Sequence, residues 1–259
     1  MIGILDSGFG GLSIYQSIAA LIPHESTLYI GDHAYLPYGE KSVRIIQQRI
    51  LALIGFLIQR HVKLIVIACN TGTVAGIGLY RATFPGIPIV GVVPVIKTAA
   101  AISKRKRFAV LSTKFTARSR YQKHLVEEFA HGCFVHNLGC QNLVTLVEQG
   151  IVNGSRVDKE LRRILTPGLL RDIDVIALGC THYPFLVPAI RAIIGNDIAV
   201  LDSGGAVARQ AARILEHNGI KSHTKKTTHA FFSTGRGDEY SKIASLLLHQ
   251  KVNVTYAHI

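Results

Sequence analysis

Short runs rich in Ile and Val alternate along the chain with longer stretches in which apolar residues recur every three to four positions. The short runs predict buried strands at Ile2–Leu5, Thr27–Ile30, Leu64–Ala68, Ile87–Val93, Phe108–Leu111, Asp174–Leu178 and Ile198–Leu201. Gly, Asp or Ser bounds most of them, as expected where a strand hands over to a turn. The longer stretches predict helices, most clearly at Lys41–Gln59, Ala117–Phe129, Ser155–Leu165 and Gly205–His217. Strand–helix alternation predicts an α/β fold of parallel sheets flanked by helices. Ligands in such folds bind beyond the carboxyl ends of the strands. The residues just after each strand are therefore the first candidates for function.

The pattern also repeats. Ile2–Gln16 laid over Phe108–Gln122 matches Leu5 with Leu111, Phe9 with Phe115, Ser13 with Ser119, Tyr15 with Tyr121 and Gln16 with Gln122. At nearly the same offset Cys69 meets Cys180, each after an apolar strand and before a Thr-bearing turn, in VIACNTGT and IALGCTHYP. Two similar α/β lobes are expected, with an active site in the cleft between them. The expected division is residues 1–95 with 207–259 in one lobe and 96–206 in the other. Gly91–Lys97 is the expected hinge, with a second crossing near Asp202–Ala206 and a return of the C-terminal segment to the first lobe.

Composition narrows the class. Apolar residues make up 48% of the 259 positions and charged residues 17%, so the chain has material for a core and disorder is not expected. The longest apolar run, Leu51–Ile58, is flanked by Arg49 and Arg60 and is too short to span a bilayer. The opening MIGILDSG lacks a basic leader and enters a strand directly, so a reducing cytoplasm with free thiols is expected. The four cysteines show no CxxC spacing, which argues against a zinc site; no metal or other cofactor is expected. The net charge of +13 points first to an anionic partner.

Two kinds of site stand out. Asp6-Ser7-Gly8-Phe9-Gly10-Gly11-Leu12-Ser13 follows the first strand and opens a helix, and Asp32 ends the second strand. This approaches a dinucleotide-binding fingerprint. Ser13 in place of the third glycine and the carboxylate of Asp6 argue against it. An amide-rich turn receiving a smaller anion, such as a carboxylate, is the alternative, beside a plain tight turn capped by Asp6. The second kind is the cysteine pair. Cys69 and Cys180 each sit where a strand meets a helix, a setting in which backbone N–H groups favour thiolate. Asn70, Thr71, Thr181 and His182 follow them with side chains suited to a polar ligand. A hydrolase of the Ser-His-Asp type needs one nucleophile and one base. Two equivalent acid/base groups on opposite walls instead suit removal of a proton from one face of a carbon and its delivery to the other, with Asp6 and His182 tuning protonation.

Together, DSGFGGLS (6–13), YIGDHAYLPYG (29–39), ACNTGT (68–73), GVVP (91–94), LGCTHYP (178–184) and DSG (202–204) resemble the glutamate racemases of the aspartate/glutamate racemase superfamily. His182 after Thr181 is similar to the glutamate enzymes rather than to aspartate racemases. The resemblance implies cofactor-independent interconversion of L- and D-glutamate for peptidoglycan synthesis; racemisation of aspartate or another small amino acid is the alternative. It implies that Cys69, assisted by Asp6, acts on the D-substrate and Cys180, assisted by His182, on the L-substrate. Glu148 matches a further acidic residue of the site. Ser7, Tyr38, Gly39, Asn70, Thr71, Thr181 and His182 match substrate-binding positions, with Thr113 and Thr116 contributing from the second lobe. Gly72 departs from the Ala usual after CNT. The chain begins almost at its first strand, without the extension of members activated by a peptidoglycan precursor, which leaves that activation an open question. A homodimer is consistent with the family.

The charge then has no assigned role. Lys104-Arg105-Lys106-Arg107 and Lys221–His229 read as solvated connectors without the aromatic interleaving of a nucleic-acid surface. Nucleic acid and DNA gyrase, with which some family members interact, are not the expected partners; membrane is not either. Of the twelve histidines only His182 lies in a motif as a site residue, and His33 reads as structural.

Overall fold

The computed structural model describes residues 1–224 and 226–259. Among the described residues ten strands form two sheets: β1 (Ile2–Asp6), β2 (Thr27–Gly31), β3 (Leu64–Ile67), β4 (Ile89–Gly91), β5 (Arg107–Ser112), β6 (Phe134–Gly139), β7 (Val175–Gly179), β8 (Ala199–Leu201), β9 (His229–Ser233) and β10 (Val254–Tyr256). The first sheet has the order β10-β9-β2-β1-β3-β4 and the second β6-β5-β7-β8, and every pairing is parallel. The helices are α1 (Leu12–Leu21), α2 (Val43–Ile58), α3 (Asn70–Thr83), α4 (Ile96–Ile102), α5 (Lys114–Arg118), α6 (Arg120–Phe129), α7 (Gln141–Glu148), α8 (Ser155–Ile164), α9 (Pro167–Asp172), α10 (Val187–Ile194), α11 (Gly204–His217) and α12 (Glu239–Leu248). The fold is α/β, as the alternation predicts.

Four-strand orders β2-β1-β3-β4 and β6-β5-β7-β8 are the same, so the repeat in the sequence has a counterpart in topology. The order in which strands are added reverses at β1/β3 in one sheet and at β5/β7 in the other. These are the switch points where open α/β sheets bind ligands. Asp6 ends β1 and Cys69 follows β3; Thr113 follows β5 and Cys180 follows β7. The inner strands β1, β3 and β7 are buried along their whole length, which explains their unbroken Ile, Leu and Val runs.

Some elements differ from their predicted form. The single helix predicted at Ala117–Phe129 is two, because Ser119 is extended and its hydroxyl caps α6 by accepting the Gln122 N–H. Strand β6 carries no apolar run because it is the exposed edge of its sheet. Strands β9 and β10 lie beyond α11 and extend the first sheet through β2. The basic run at 104–107 is consumed locally. The Lys104 and Arg105 amides donate to Asp174, Arg105 Nη1 to the Arg171 and Ile173 carbonyls, and Arg107 pairs with Asp172 at 2.5 Å. In the 221–229 connector, Lys221 pairs with Glu216 and His229 opens β9; Lys225 lies outside the described residues. Among the described residues no helix is long and apolar enough to cross a membrane.

Candidate active site

Cys69 and Cys180 border one cavity between the two sheets, and both thiols are free. The Cys69 Sγ caps α3 by accepting the Gly72 N–H at 3.3 Å, and lies 3.7 Å from the Ser7 hydroxyl. Burial pushes its thiol well above the usual range, and the nearby Asp6 carboxylate adds to this. The Cys180 Sγ lies 3.5 Å from His182 Nδ1, and His182 Nε2 lies 2.5 Å from Glu148 Oε1. Burial opposes a charged imidazole at His182, but Cys180 and Glu148 outweigh it and raise its pKa well above the ordinary value. Burial likewise opposes charge on Glu148, yet His182, His33 and the Phe9 N–H hold it below the ordinary glutamate value. The two thiols therefore have different surroundings: an imidazole and carboxylate behind Cys180, a hydroxyl and a buried carboxyl near Cys69.

Asp6 is fully buried. Its Oδ2 accepts the Gly11 N–H at 2.6 Å, while its Oδ1 has no partner. Burial raises its pKa, against the opposing influence of His182 and Gly11. Asp6, Glu148 and Thr116 stand behind the cavity wall, whereas Ser7, Asn70, Thr71, Thr181 and Thr113 are on it with His182. Thr116 backs Thr113: the two hydroxyls are 3.1 Å apart, and Thr71 of the facing lobe lies 2.9 Å from Thr113 and 3.3 Å from Thr116. Asn70 Nδ2 is buried without a partner.

Tyr38 and Gly39 complete one wall, but the Tyr38 hydroxyl is committed elsewhere, donating to Asp32 Oδ2 at 2.7 Å. Asp32 also accepts two bonds from Arg49 and one from Thr234. Both of its oxygens are thus used, so it is no ribose acceptor. The glycine-rich turn is likewise not an external anion site. The Phe9 N–H donates to Glu148 at 2.7 Å and the Gly11 N–H to Asp6, so these amides serve the protein's own carboxylates rather than an external anion. Gly8 and Gly10 are there for approach across the cleft. A Cβ at Gly8 would collide with the Glu148 carboxylate, and one at Gly10 with the His182 imidazole.

Two residues near the site escaped the sequence reading. Gln141 lines the cavity beside Gly39, with both side-chain amide atoms buried and unpartnered. Its only signal is its position just past β6, a strand that lacks a legible apolar pattern. His33, read as structural, packs against Phe9 and lies 3.5 Å from Glu148 Oε2. The cavity itself is small, with about 10 Å³ of free space, room for one water.

A profile of the Asp/Glu/Hydantoin racemase family matches residues 2–211. A glutamate racemase of Pseudomonas paraeruginosa is 39% identical over 246 residues, covering 95% of this chain and 93% of that protein. A glutamate racemase isoform of Bacillus anthracis matches in structure with a TM-score of 0.90 at 33% identity, covering 99% of this chain and 97% of the other. The Francisella tularensis glutamate racemase, solved in complex with D-glutamate, matches with a TM-score of 0.86 at 27% identity, over 98% of this chain and 95% of that one.

Proposed function

The chain belongs to the Asp/Glu/hydantoin racemase family of isomerases, and we propose that it interconverts L- and D-glutamate by two-base proton transfer between Cys69 and Cys180, supplying D-glutamate for peptidoglycan. One observation carries this reading. Two thiols, each at the carboxyl end of an equivalent strand in two like-ordered sheets, border a single cavity.

The α-proton of an amino acid is weakly acidic, so the site must both remove it and stabilise the charge left behind. From L-glutamate, Cys180 takes the Cα proton. The C–H bond breaks, its electron pair stays on the carbon in conjugation with the carboxylate, and an S–H bond forms. Cys69 then gives its thiol proton to the opposite face of Cα and is left as thiolate. From D-glutamate the roles reverse. His182, held by Glu148, assists Cys180; Asp6 assists Cys69. Asn70, Thr71, Thr113 and Thr181 are the polar groups offered to the substrate, with Ser7 and the Tyr38–Gly39 segment beside them and Thr116 supporting Thr113. Donors fixed in place before the reaction stabilise developing charge without the reorganisation water would need. The unpartnered Asn70 and Gln141 amides support this, since each lacks a bond that a polar ligand would complete.

The test is a circular-dichroism assay of L-glutamate without added cofactor. Ellipticity is expected to decay to zero as the racemate forms. Cys69→Ser and Cys180→Ser are each expected to lower turnover by at least about 100-fold, the scale of general acid–base catalysis; retention of more than about a tenth of wild-type turnover sinks the two-thiol mechanism. In D₂O the product should carry deuterium at Cα while residual substrate does not. Equal label in both points to a single base.

A further inference from the structure

Glu148 lies between two imidazoles, and only one of them faces a reactive thiol. His182 meets its Oε1 at 2.5 Å, together with the Phe9 N–H at 2.7 Å. His33 Nε2 is the nearest polar group recorded at Oε2, at 3.5 Å. His33 follows β2 and belongs to the first lobe; Glu148 ends α7 behind the second sheet. The contact therefore exists only while the lobes are together.

The His33 ring is held on every side. Its side chain is 4% exposed, with the Phe9 ring centroid at 4.3 Å and that of Tyr240 at 4.6 Å. Its Nδ1 lies 3.0 Å from the Ser233 hydroxyl and 3.2 Å from the Gly31 carbonyl. Its Nε2 is buried without a hydrogen-bond partner. Burial favours the neutral ring, which carries one N–H. A bare Nε2 lone pair would repel an ionised Glu148, whereas Nε2–H attracts it. The Gly31 carbonyl at Nδ1 favours a proton there and the Glu148 carboxylate favours one on Nε2; the full charge outweighs the carbonyl dipole, which leaves the proton on Nε2 and the Ser233 hydroxyl donating to Nδ1. That hydroxyl is free to turn: its oxygen accepts the Gly235 N–H at 2.9 Å, and its proton has only Gly235 O, at 3.1 Å, as the competing acceptor.

We propose that His33 is a positioning residue for the Cys180 half of the reaction, presenting Nε2–H across the cleft to Glu148 Oε2 and so fixing the carboxylate that orients His182 against Cys180. The inference rests on the function proposed above, but its first test does not. His33 touches neither thiol, and it acts through Glu148. The other titratable groups facing Glu148 are Asp6, Tyr29 and Tyr240; those facing His33 are Asp32, His182 and Tyr240. None of these offers Oε2 a recorded bond in place of His33.

Long-range ¹H–¹⁵N spectra of the imidazoles give a readout independent of activity. His33 is expected to be neutral and protonated on Nε2 at neutral pH; protonation on Nδ1 overturns the proposal whether or not the protein racemises glutamate. The kinetic arm uses His33→Leu, which removes the donor, and His33→Gln, whose amide N–H replaces it. Because the enantiomers are equal in free energy, kcat/KM must change by the same factor in both directions. The directional readout is therefore the primary isotope effect with Cα-deuterated L- or D-glutamate. In His33→Leu, kcat/KM is expected to fall roughly 10-fold, as for loss of an outer partner of an active group. The isotope effect should rise for L-glutamate and not for D-glutamate, and the acid limb of the pH profile should move to higher pH as Glu148 loses a donor. His33→Gln should restore most of the loss. Wild-type behaviour of His33→Leu, or equal loss in both variants with the acid limb unmoved, overturns the proposal. If His33→Leu does not fold, His33→Asn, too short to reach Glu148, takes its place with the same expectations. A wild-type protein that leaves glutamate unchanged sinks the functional reading alone, because the tautomer still decides the His33 contact.

Discussion

Gln141 presents two buried amide atoms to the cavity, and neither finds a partner in the protein. Leaving such groups unsatisfied costs about 1–3 kcal/mol each, a cost that a bound polar substrate would remove. Replacing Gln141 with Leu should therefore weaken substrate binding more than chemistry. The expected result is a KM raised roughly 10-fold, the equivalent of about 1.4 kcal/mol, with kcat changed much less. Steady-state assays in both directions check this; an unchanged KM places Gln141 outside the substrate's reach. The cysteines, by contrast, were visible in the sequence, since each follows an apolar strand and precedes small polar residues. Gln141 and His33 were not, because polar residues in loops carry no periodicity and acquire meaning only from what they face.

At the scale of elements, the turn from Gly8 to Gly11 changes its meaning. By its pattern it approaches a dinucleotide-binding turn but lacks the third glycine. In the folded chain its amides hold Asp6 and Glu148, and its missing side chains make room for Glu148 and His182. A β-branched residue at Gly10 would meet the imidazole and the Thr181 hydroxyl of the facing lobe. Gly10→Val is expected to keep far-ultraviolet circular dichroism close to wild type while lowering kcat/KM at least about 100-fold, the scale of a misplaced catalytic group. Wild-type activity in this variant would mean that close approach at Gly10 is dispensable. The same scale accounts for the strand that could not be read. Strand β6 is an edge with most of its side chains partly or fully exposed, so burial imposes no apolar run on it.

At the scale of the whole molecule, the site exists only across the cleft. Ser13 Oγ donates to the Thr181 carbonyl at 2.8 Å, Thr71 meets Thr113, and Phe9 and His33 meet Glu148. The space inside is small, with room for a single water. The closed pair also titrates in a defined way. Glu148 is held below its ordinary value, about 4.3, so its contribution to stability is present above that value and is lost as pH falls through the lower folded one. His182 is held above its ordinary value, about 6.5; its contribution is complete below that value and is lost as pH rises through the raised folded one. The difference in melting temperature between wild type and His182→Asn should therefore be largest below about 6.5, narrow steadily as pH rises through neutral, and disappear only on the alkaline side. A difference already gone just above about 6.5 contradicts the pairing.

Sequence alone determined the α/β class, the repeated strand-to-cysteine pattern and the family motifs, because these depend on burial and on neighbours a few residues apart. The high positive charge was first read as pointing to an anionic partner; at its densest run Arg107 pairs with Asp172 and Arg105 bonds nearby carbonyls, while Asp174 takes backbone amides of the run. Only the tertiary structure decided how the groups behind each thiol are held, with Glu148 set between His182, His33 and the Phe9 amide. Glu148 reaches Phe9 across 139 positions of chain, and His33 reaches Ser233 across 200. Contacts of that separation follow from the way two sheets face each other, and no local pattern of hydrophobic and polar residues encodes them.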